Sequence, residues 1–534
     1  MLTAMICAVS MFAVEPVSTQ GSIVSAEDFT YTGTLPTGGD KFTVLSWNAG
    51  FEDEVTQWAN DVGYSESQIN YINLNTYGGG ALDYYYKFFM SGEDIDVLLV
   101  EQDWALELMN KSYCASPLSA LGFNESDFAE QYPYTKDIGK NSKGVLKGVA
   151  WQASSGAWCY RADLAEQYLG VKTPEEMQAK VSDWDKFQST AGEVYSASEG
   201  KTALTTTLYG MYNAYKYSRT KPWVVDNNLV TDDFCYDFIS LAKNMTDNNY
   251  VTDINQWTDT WYKAGQTDST MGYFVSSWGF DNSMLLSFAG GESGATYGKW
   301  KACQGPSPYN WGGTWLCVYP RTDNADMAAS LINYIALDKD SIKSLAKNEA
   351  GYLPNNMAVT EELISEGKNS SALLGGQDYF EPLHENAKAI DMSGIIAPYD
   401  SSVDMYFLNA VNSYCKGEME SVEECIESFE NDVYANVKFD FTVTDEPTTE
   451  PATEPVTEPA TEPVTEPITE PVTELKGDIT GNGKIDLYDA IEICRYIMGM
   501  RSFTDAQMEI ADYNSDGGID LYDAIGIAKK LLEK

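Results

Sequence analysis

The chain is short of positive charge and almost without histidine: 34 Lys+Arg stand against 80 Asp+Glu, and His384 is the single histidine in 534 residues. A surface this acidic, with a net charge of −46, repels phosphate backbones and excludes nucleic acid as a partner. A Ser-His-Asp triad or a His-ligated zinc would have to use His384, and no HExxH or GxSxG context surrounds it. That residue lies in a polar stretch, Glu381 to Lys388, and is expected at the surface. No Walker A sequence occurs, which removes the commonest phosphate cradle. The nine cysteines form no CxxC pair. Pairing of Cys303 with Cys317, or Cys415 with Cys425, is open, and small buried thiols suit the same positions. Past Val14, no stretch reaches the ~18 apolar residues that cross a bilayer.

What is present divides the chain. Met1 to Val14 is almost wholly apolar, and small residues follow up to Val24-Ser25-Ala26. This is the pattern of a secretory signal peptide over residues 1–26, although no Lys or Arg precedes Lys41. Cys7 has no convincing lipobox around it, so a lipid anchor is not expected and the protein is expected to be secreted. Residues 442–476 repeat Thr-Glu-Pro, as in Thr449-Glu450-Pro451 and Thr453-Glu454-Pro455. Recurrent Pro forbids helix and central strand, and Glu keeps the segment solvated, so it is expected to be an extended tether.

Residues 27–441 alternate strand and helix patterns. Lys41–Trp47 and Ile69–Tyr77 are β-rich runs, and Ile95–Val100 is apolar enough to be buried on both faces. Between them, Phe51, Val55, Trp58, Ala59 and Val62 share one helical face, and Leu82–Met90 is a second helix. Later helices are expected over Phe234–Met245 and Asp326–Leu337. This alternation implies parallel sheets covered by helices, and the length implies two α/β lobes.

Residues 477–534 hold one pattern twice. The first copy places Asp478, Thr480, Asn482, Asp486 and Asp489 at loop positions 1, 3, 5, 9 and 12; the second places Asp512, Asn514, Asp516, Asp520 and Asp523 there. Position 6 is Gly in both, and position 7 offers the carbonyl of Lys484 or Gly518. Calcium wants six to eight oxygens, and this spacing wraps them around one ion per loop, so two calcium ions are expected. Each loop leads into an amphipathic helix, Leu487–Met498 or Leu521–Leu532. No helix enters the first loop, and position 12 is Asp rather than Glu.

In these features the segment Lys476–Lys534 resembles the type I dockerin, the duplicated loop–helix module that binds cohesin domains of scaffoldins. The resemblance implies cohesin recognition by Leu487, Tyr488, Leu521 and Tyr522, with Arg495 and Lys529 at the rim. Leu487 and Leu521 equally suit core packing. Thr480, a hydroxyl where Asn or Asp is common, implies a weaker first site.

The large module resembles extracellular solute-binding proteins of the carbohydrate ABC-transporter class. The resemblance is carried by Trp47-Asn48 before a helix, by Gly148–Trp151 ahead of Trp158–Leu164, and by Thr173-Pro174 through Asp183-Trp184-Asp185. Trp311-Gly312-Gly313 and Gly351-Tyr352-Leu353-Pro354 complete it. It implies a two-lobed clamp closing on an oligosaccharide, with an importer permease as a further partner. A pyranose needs flat rings with carboxylates and amides at their edges. Ligands of open α/β sheets sit beyond the C-terminal ends of strands. That places Trp47, Asn48, Glu101, Gln102, Asp103 and Trp104 at the cleft, and the resemblance adds Trp151, Trp278, Trp311 and Tyr352. Each of these aromatics also suits a buried core. Trp58 and Trp184, at helical positions, are assigned to core, and the Tyr84-Tyr85-Tyr86 run to helix packing. Two rivals stand beside this reading. A glycoside hydrolase needs only a carboxylate pair, and most dockerin-bearing proteins are polysaccharide-degrading enzymes. An adhesive wall protein fits the tether and tail but not the alternating α/β pattern.

Overall fold

A computed structural model of the chain describes residues 35–76, 80–91, 93–280, 283–348, 352–367 and 369–437, with short stretches and single positions between 476 and 530. The expected signal segment, almost all of the tether and most of the loop ligands lie outside the described residues. The chain divides into two compact units, Met1–Thr449 and Glu450–Lys534.

The first unit contains, in chain order, β1 (Phe42–Ser46), β2 (Ile69–Asn73), β3 (Val97–Glu101), β4 (Gly148–Ala150), β5 (Gly156–Arg161) and β6 (Ala203–Thr205). A short hairpin, β7 (Val224–Val225) and β8 (Asn228–Leu229), precedes β9 (Thr270–Ser276), β10 (Trp300–Cys303) and β11 (Thr314–Val318). These build two sheets, ordered β2-β1-β3-β11-β4 and β10-β5-β9-β6, each the centre of one lobe. The α/β class and the two lobes agree with the sequence. The sheets are only partly parallel, however. β1, β2 and β3 run together, whereas β11 is antiparallel to both β3 and β4. The reason is the path: the chain returns to the first sheet from the second lobe, so β11 enters at the end where β3 leaves.

The helices follow from apolar spacing and end groups. Helix Glu52–Val62 buries Val55, Trp58 and Ala59, with Phe51 buried just before it; Gly63 ends it in the left-handed region, leaving Val62 exposed. Helix Asp233–Asp247 buries Phe238, Leu241, Ala242 and Met245 as its periodicity requires. Thr173 and Asp183 cap helices Pro174–Val181 and Trp184–Ala197, accepting hydrogen bonds from the backbone N–H of Glu176 and Lys186. The Asp96 carboxylate accepts from Thr43 N at 2.6 Å and from the Thr322 hydroxyl at 2.5 Å, tying β1 to the turn after β11. Neighbouring Asp94 and Asp323 complete an acidic group there, but Asp96 is already occupied by the fold.

Three segments cross between the lobes and lie side by side. Ala153 N donates to Leu353 O at 2.8 Å, Trp311 N to Ser154 O at 3.0 Å, and Gly156 N to Tyr309 O at 2.8 Å. A Cβ on Gly156 would sit 2.0 Å from the Tyr309 ring, so only glycine lets these strands meet. All seven cysteines in the described residues are buried, and Cys303, Cys317, Cys415 and Cys425 are thiols that form no disulfide there.

Candidate carbohydrate groove

The strand registers bring chosen ends together. Thr314 pairs with Glu101 and Trp315 with Ala150, so β3 and β4 both end where β11 begins. In the second sheet Gly156 pairs with Ser276, which puts the exit of β9 beside the crossovers. The side chains that follow these ends gather where the lobes meet and mark a candidate groove.

Trp278 stands in the turn after β9 and donates its Nε1–H to the Trp311 carbonyl at 2.7 Å, which fixes both residues. Their rings meet at 5.3 Å and 67°. A third indole, Trp257, lies almost parallel to Trp278, with centroids 6.4 Å apart and planes at 14°. It is 51% exposed and has φ +67, a left-handed backbone that is uncommon for a bulky side chain. Tyr209, 42% exposed, closes the group 6.5 Å from Trp311. Trp257 thus offers an open face, backed by the half-buried Trp278 and Trp311, of the kind an apolar sugar face needs.

The polar edge comes from the first lobe. Gly312, at φ +67, has Glu101 Oε1 3.5 Å and Trp278 Nε1 3.6 Å from where its Cβ would lie, so carboxylate and indole edge converge across it. Glu101 also caps helix Gln102–Met109, accepting from Asp103 N at 2.8 Å. Desolvation, aided by the Asp103 charge, pushes the Glu101 carboxyl well above its usual range. Gln102 joins the lobes: its Nε2 donates to Tyr217 Oη at 2.8 Å, and its Oε1 accepts from Asn310 at 2.6 Å. Beside it only about 50 Å³ remains between Gln102, Asp103 and Leu106 on one side and Lys216, Arg219 and Asp404 on the other. Burial opposes the Lys216 charge, but Asp404, Tyr217 and Asp103 more than offset it, and its pKa is raised. Asp404 also accepts from Tyr212 and from Trp223 Nε1, which holds it in place.

Of the residues singled out from sequence, Glu101, Gln102, Asp103, Trp278 and Trp311 lie at this groove. Trp47 and Asn48 are half-buried at the end of β1, one strand away; Asn48 Oδ1 already accepts from Gly50 N at 2.9 Å. Three of the expected ligand residues are buried in the core. Trp104 is buried against Tyr85, with ring centroids 5.1 Å apart, because it falls on the core face of its helix. Trp151 is buried on Phe51 at 4.4 Å, and Tyr352 is buried with its hydroxyl donated to Trp151 O; both serve the crossovers. His384 is also buried rather than at the surface, its Nδ1 2.7 Å from Tyr132 Oη. Desolvation, aided by Lys388, lowers its pKa. Trp58 is buried and Trp184 packs on Phe187, as expected of core. Tyr209 and Trp257 escaped sequence reading. The one available signal was a lone tryptophan in the polar run Asn255-Gln256-Trp257-Thr258.

In the second unit, Ile479, Ile493, Ala511 and Ile527 form a small core, with Ile485 and Ile519 packed on it. These last two occupy loop position 8. Asp489 and Asp523, at loop position 12, are fully buried. A carboxylate is buried at low cost only with a cation or several donors around it, so this donor set fits a hard metal ion. Asp512 and Lys484 are among the described residues. Asp478, Thr480, Asn482, Asp486, Asn514, Asp516, Gly518 and Asp520 lie outside them, as do Leu487, Tyr488, Leu521, Tyr522, Arg495 and Lys529.

Comparison with known proteins agrees with both units. The family model for a bacterial extracellular solute-binding protein matches residues 90–372, and that for the dockerin type I domain matches residues 476–532. Among solved structures, an extracellular solute-binding protein of family 1 superposes with a TM-score of 0.62 at 16% identity, covering 74% of this chain and 100% of that one. The sugar-binding protein MalE of Xanthomonas citri gives 0.58 at 13% identity, covering 74% and 98%. An ABC-transporter-associated binding protein from B. animalis subsp. lactis, in complex with β-1,6-galactobiose, gives 0.56 at 18%, covering 74% and 96%. No curated protein matches the chain by sequence.

Proposed function

The chain belongs to the bacterial extracellular solute-binding proteins, and from that premise we propose that its large unit holds an oligosaccharide, unchanged, in the groove between its lobes. One observation carries the reading: Trp257, Trp278 and Trp311 form an open aromatic platform with the Glu101 carboxyl at its edge. The exposed face of Trp257 takes the C–H side of a pyranose, and Glu101, Asp103 and Lys216 meet its hydroxyl rim. A carboxyl whose pKa is raised as Glu101's is suits hydrogen-bond donation to a sugar oxygen. The binding of β-1,6-galactobiose by one structural relative supports the same ligand class.

The second unit, in this reading, binds calcium through its two loops and a scaffold cohesin through Leu487, Tyr488, Leu521 and Tyr522. The ion supplies charge that lets the ringed carboxylates close up. Asp489 would help hold one ion with Asp478, Thr480, Asn482 and Asp486 of the first loop, and Asp523 another with Asp512, Asn514, Asp516 and Asp520 of the second. The protein is thus secreted, attached to a cohesin-bearing scaffold, and able to hand sugar to an ABC importer permease.

Calorimetry of the full chain against cello-, xylo-, manno- and malto-oligosaccharides, followed by product analysis, tests the first half. Saturable binding with intact ligand is expected. Release of shorter sugars would instead make the protein a glycoside hydrolase.

A further inference from the structure

A second groove, of about 650 Å³, runs between the loop at residues 249–256 and helix Asp400–Cys415, wholly within the second lobe. Its size falls within the roughly 300–1,000 Å³ range of small-molecule sites. Two residues make it continuous with the aromatic platform. Tyr209 lines it and also meets Trp311, and Gln256 lines it immediately before Trp257.

Its chemistry differs from that of the platform. Asn409, Asn412 and Ser413 recur at the i, i+3 and i+4 spacing that places them on one helix face, and Asn255 and Gln256 line the loop side. Apart from Gln256, which meets Thr207 at 3.3 Å, none of these side chains hydrogen-bonds another described residue. Asp253 and Lys416 are the charged residues in this wall, one of each sign. A phosphorylated ligand would need an excess of cations, and an apolar one would strand the amides. Amides and hydroxyls donate and accept together, as sugar hydroxyls do.

We infer that this groove is an extension subsite, which takes the further units of an oligosaccharide whose first ring lies on the tryptophans. The ligand class is then a chain longer than a disaccharide, running from Trp257 past Tyr209 to Asn409. This rests on the carbohydrate reading above but can fail without it.

The test is calorimetry of the full chain with cello-, xylo-, manno- and malto-oligosaccharides from disaccharide to hexasaccharide. In the series that binds, affinity should rise with length by about tenfold or more. Asn409→Ala combined with Asn412→Ala should remove that gain and leave the disaccharide bound as before. Equal affinity for short and long chains in the native protein overturns the extension subsite alone. Failure of every sugar overturns both readings. A variant that loses disaccharide as well has lost its fold, and the native length series then decides.

Discussion

The groove gathers Glu101, Tyr209, Trp257, Trp278 and Trp311 from separate elements of one unit, whereas each C-terminal loop runs its oxygen donors through one short stretch of chain. The two regions therefore store their function differently. In the groove, geometry depends on a whole fold: β3, β9 and three crossovers must be in register before Trp278 and Glu101 face each other across Gly312. In the loops, the donors follow one another along the sequence, and on the calcium reading an ion would complete the site. A small core around Ile479, Ile493, Ala511 and Ile527 adds little burial on its own.

The largest expected effect separates the two regions outright. Chelation should melt the C-terminal helices and abolish capture by a cognate cohesin, because the loop carboxylates repel one another without the cation. Circular dichroism and a pull-down report this. Sugar affinity of the same sample should stay unchanged, and a chelator-sensitive sugar site would break the contrast.

Next in size is the platform. Trp257→Ala should lower oligosaccharide affinity by about ten- to a hundredfold, the scale of a central tryptophan contact, while cohesin capture is untouched. Because the exposed ring adds little to the core, the melting temperature should barely move. A large drop in stability with full sugar affinity would make Trp257 a packing residue.

The smallest effect concerns acid. Burial raises the Asp400 carboxyl to about 6, only partly countered by Arg219, whose guanidinium lies 2.7 Å away. With a folded value above the unfolded 3.8, Asp400 contributes stability that is fully present below about pH 4 and lost as the pH rises through about 6. Asp400→Asn should flatten the fall of the large unit's stability over that window by on the order of 1–3 kcal/mol. Chemical denaturation across pH reads it, and an unchanged slope would refute the assignment.

Much of this was legible beforehand, for identifiable reasons. The apolar run at Val97–Val100 is a fully buried strand because nothing else covers such a run. Thr173 and Asp183 begin helices because their side chains satisfy the backbone N–H groups of the first turn. Trp278 and Trp311 were candidates through family likeness alone, and the structure brings their rings together. Trp104, named from strand order, and Trp151, named from family likeness, lie in the core, because sequence position sets which strand end a ring follows and not which way it turns. His384 misled for a related reason: its helix turns a polar segment's one aromatic nitrogen ring inward onto Tyr132.

Sequence by itself determined the alternating α/β plan, the Thr-Glu-Pro repeat and the duplicated acidic loop pattern. Each of these is written within a few turns of chain, where spacing alone fixes which atoms are neighbours. Tertiary structure alone decided that Trp257 and Tyr209 join the platform, that β11 runs against β3, and which tryptophans remain open. Those outcomes depend on packing between segments far apart in the chain, where only the closed fold settles what each ring meets.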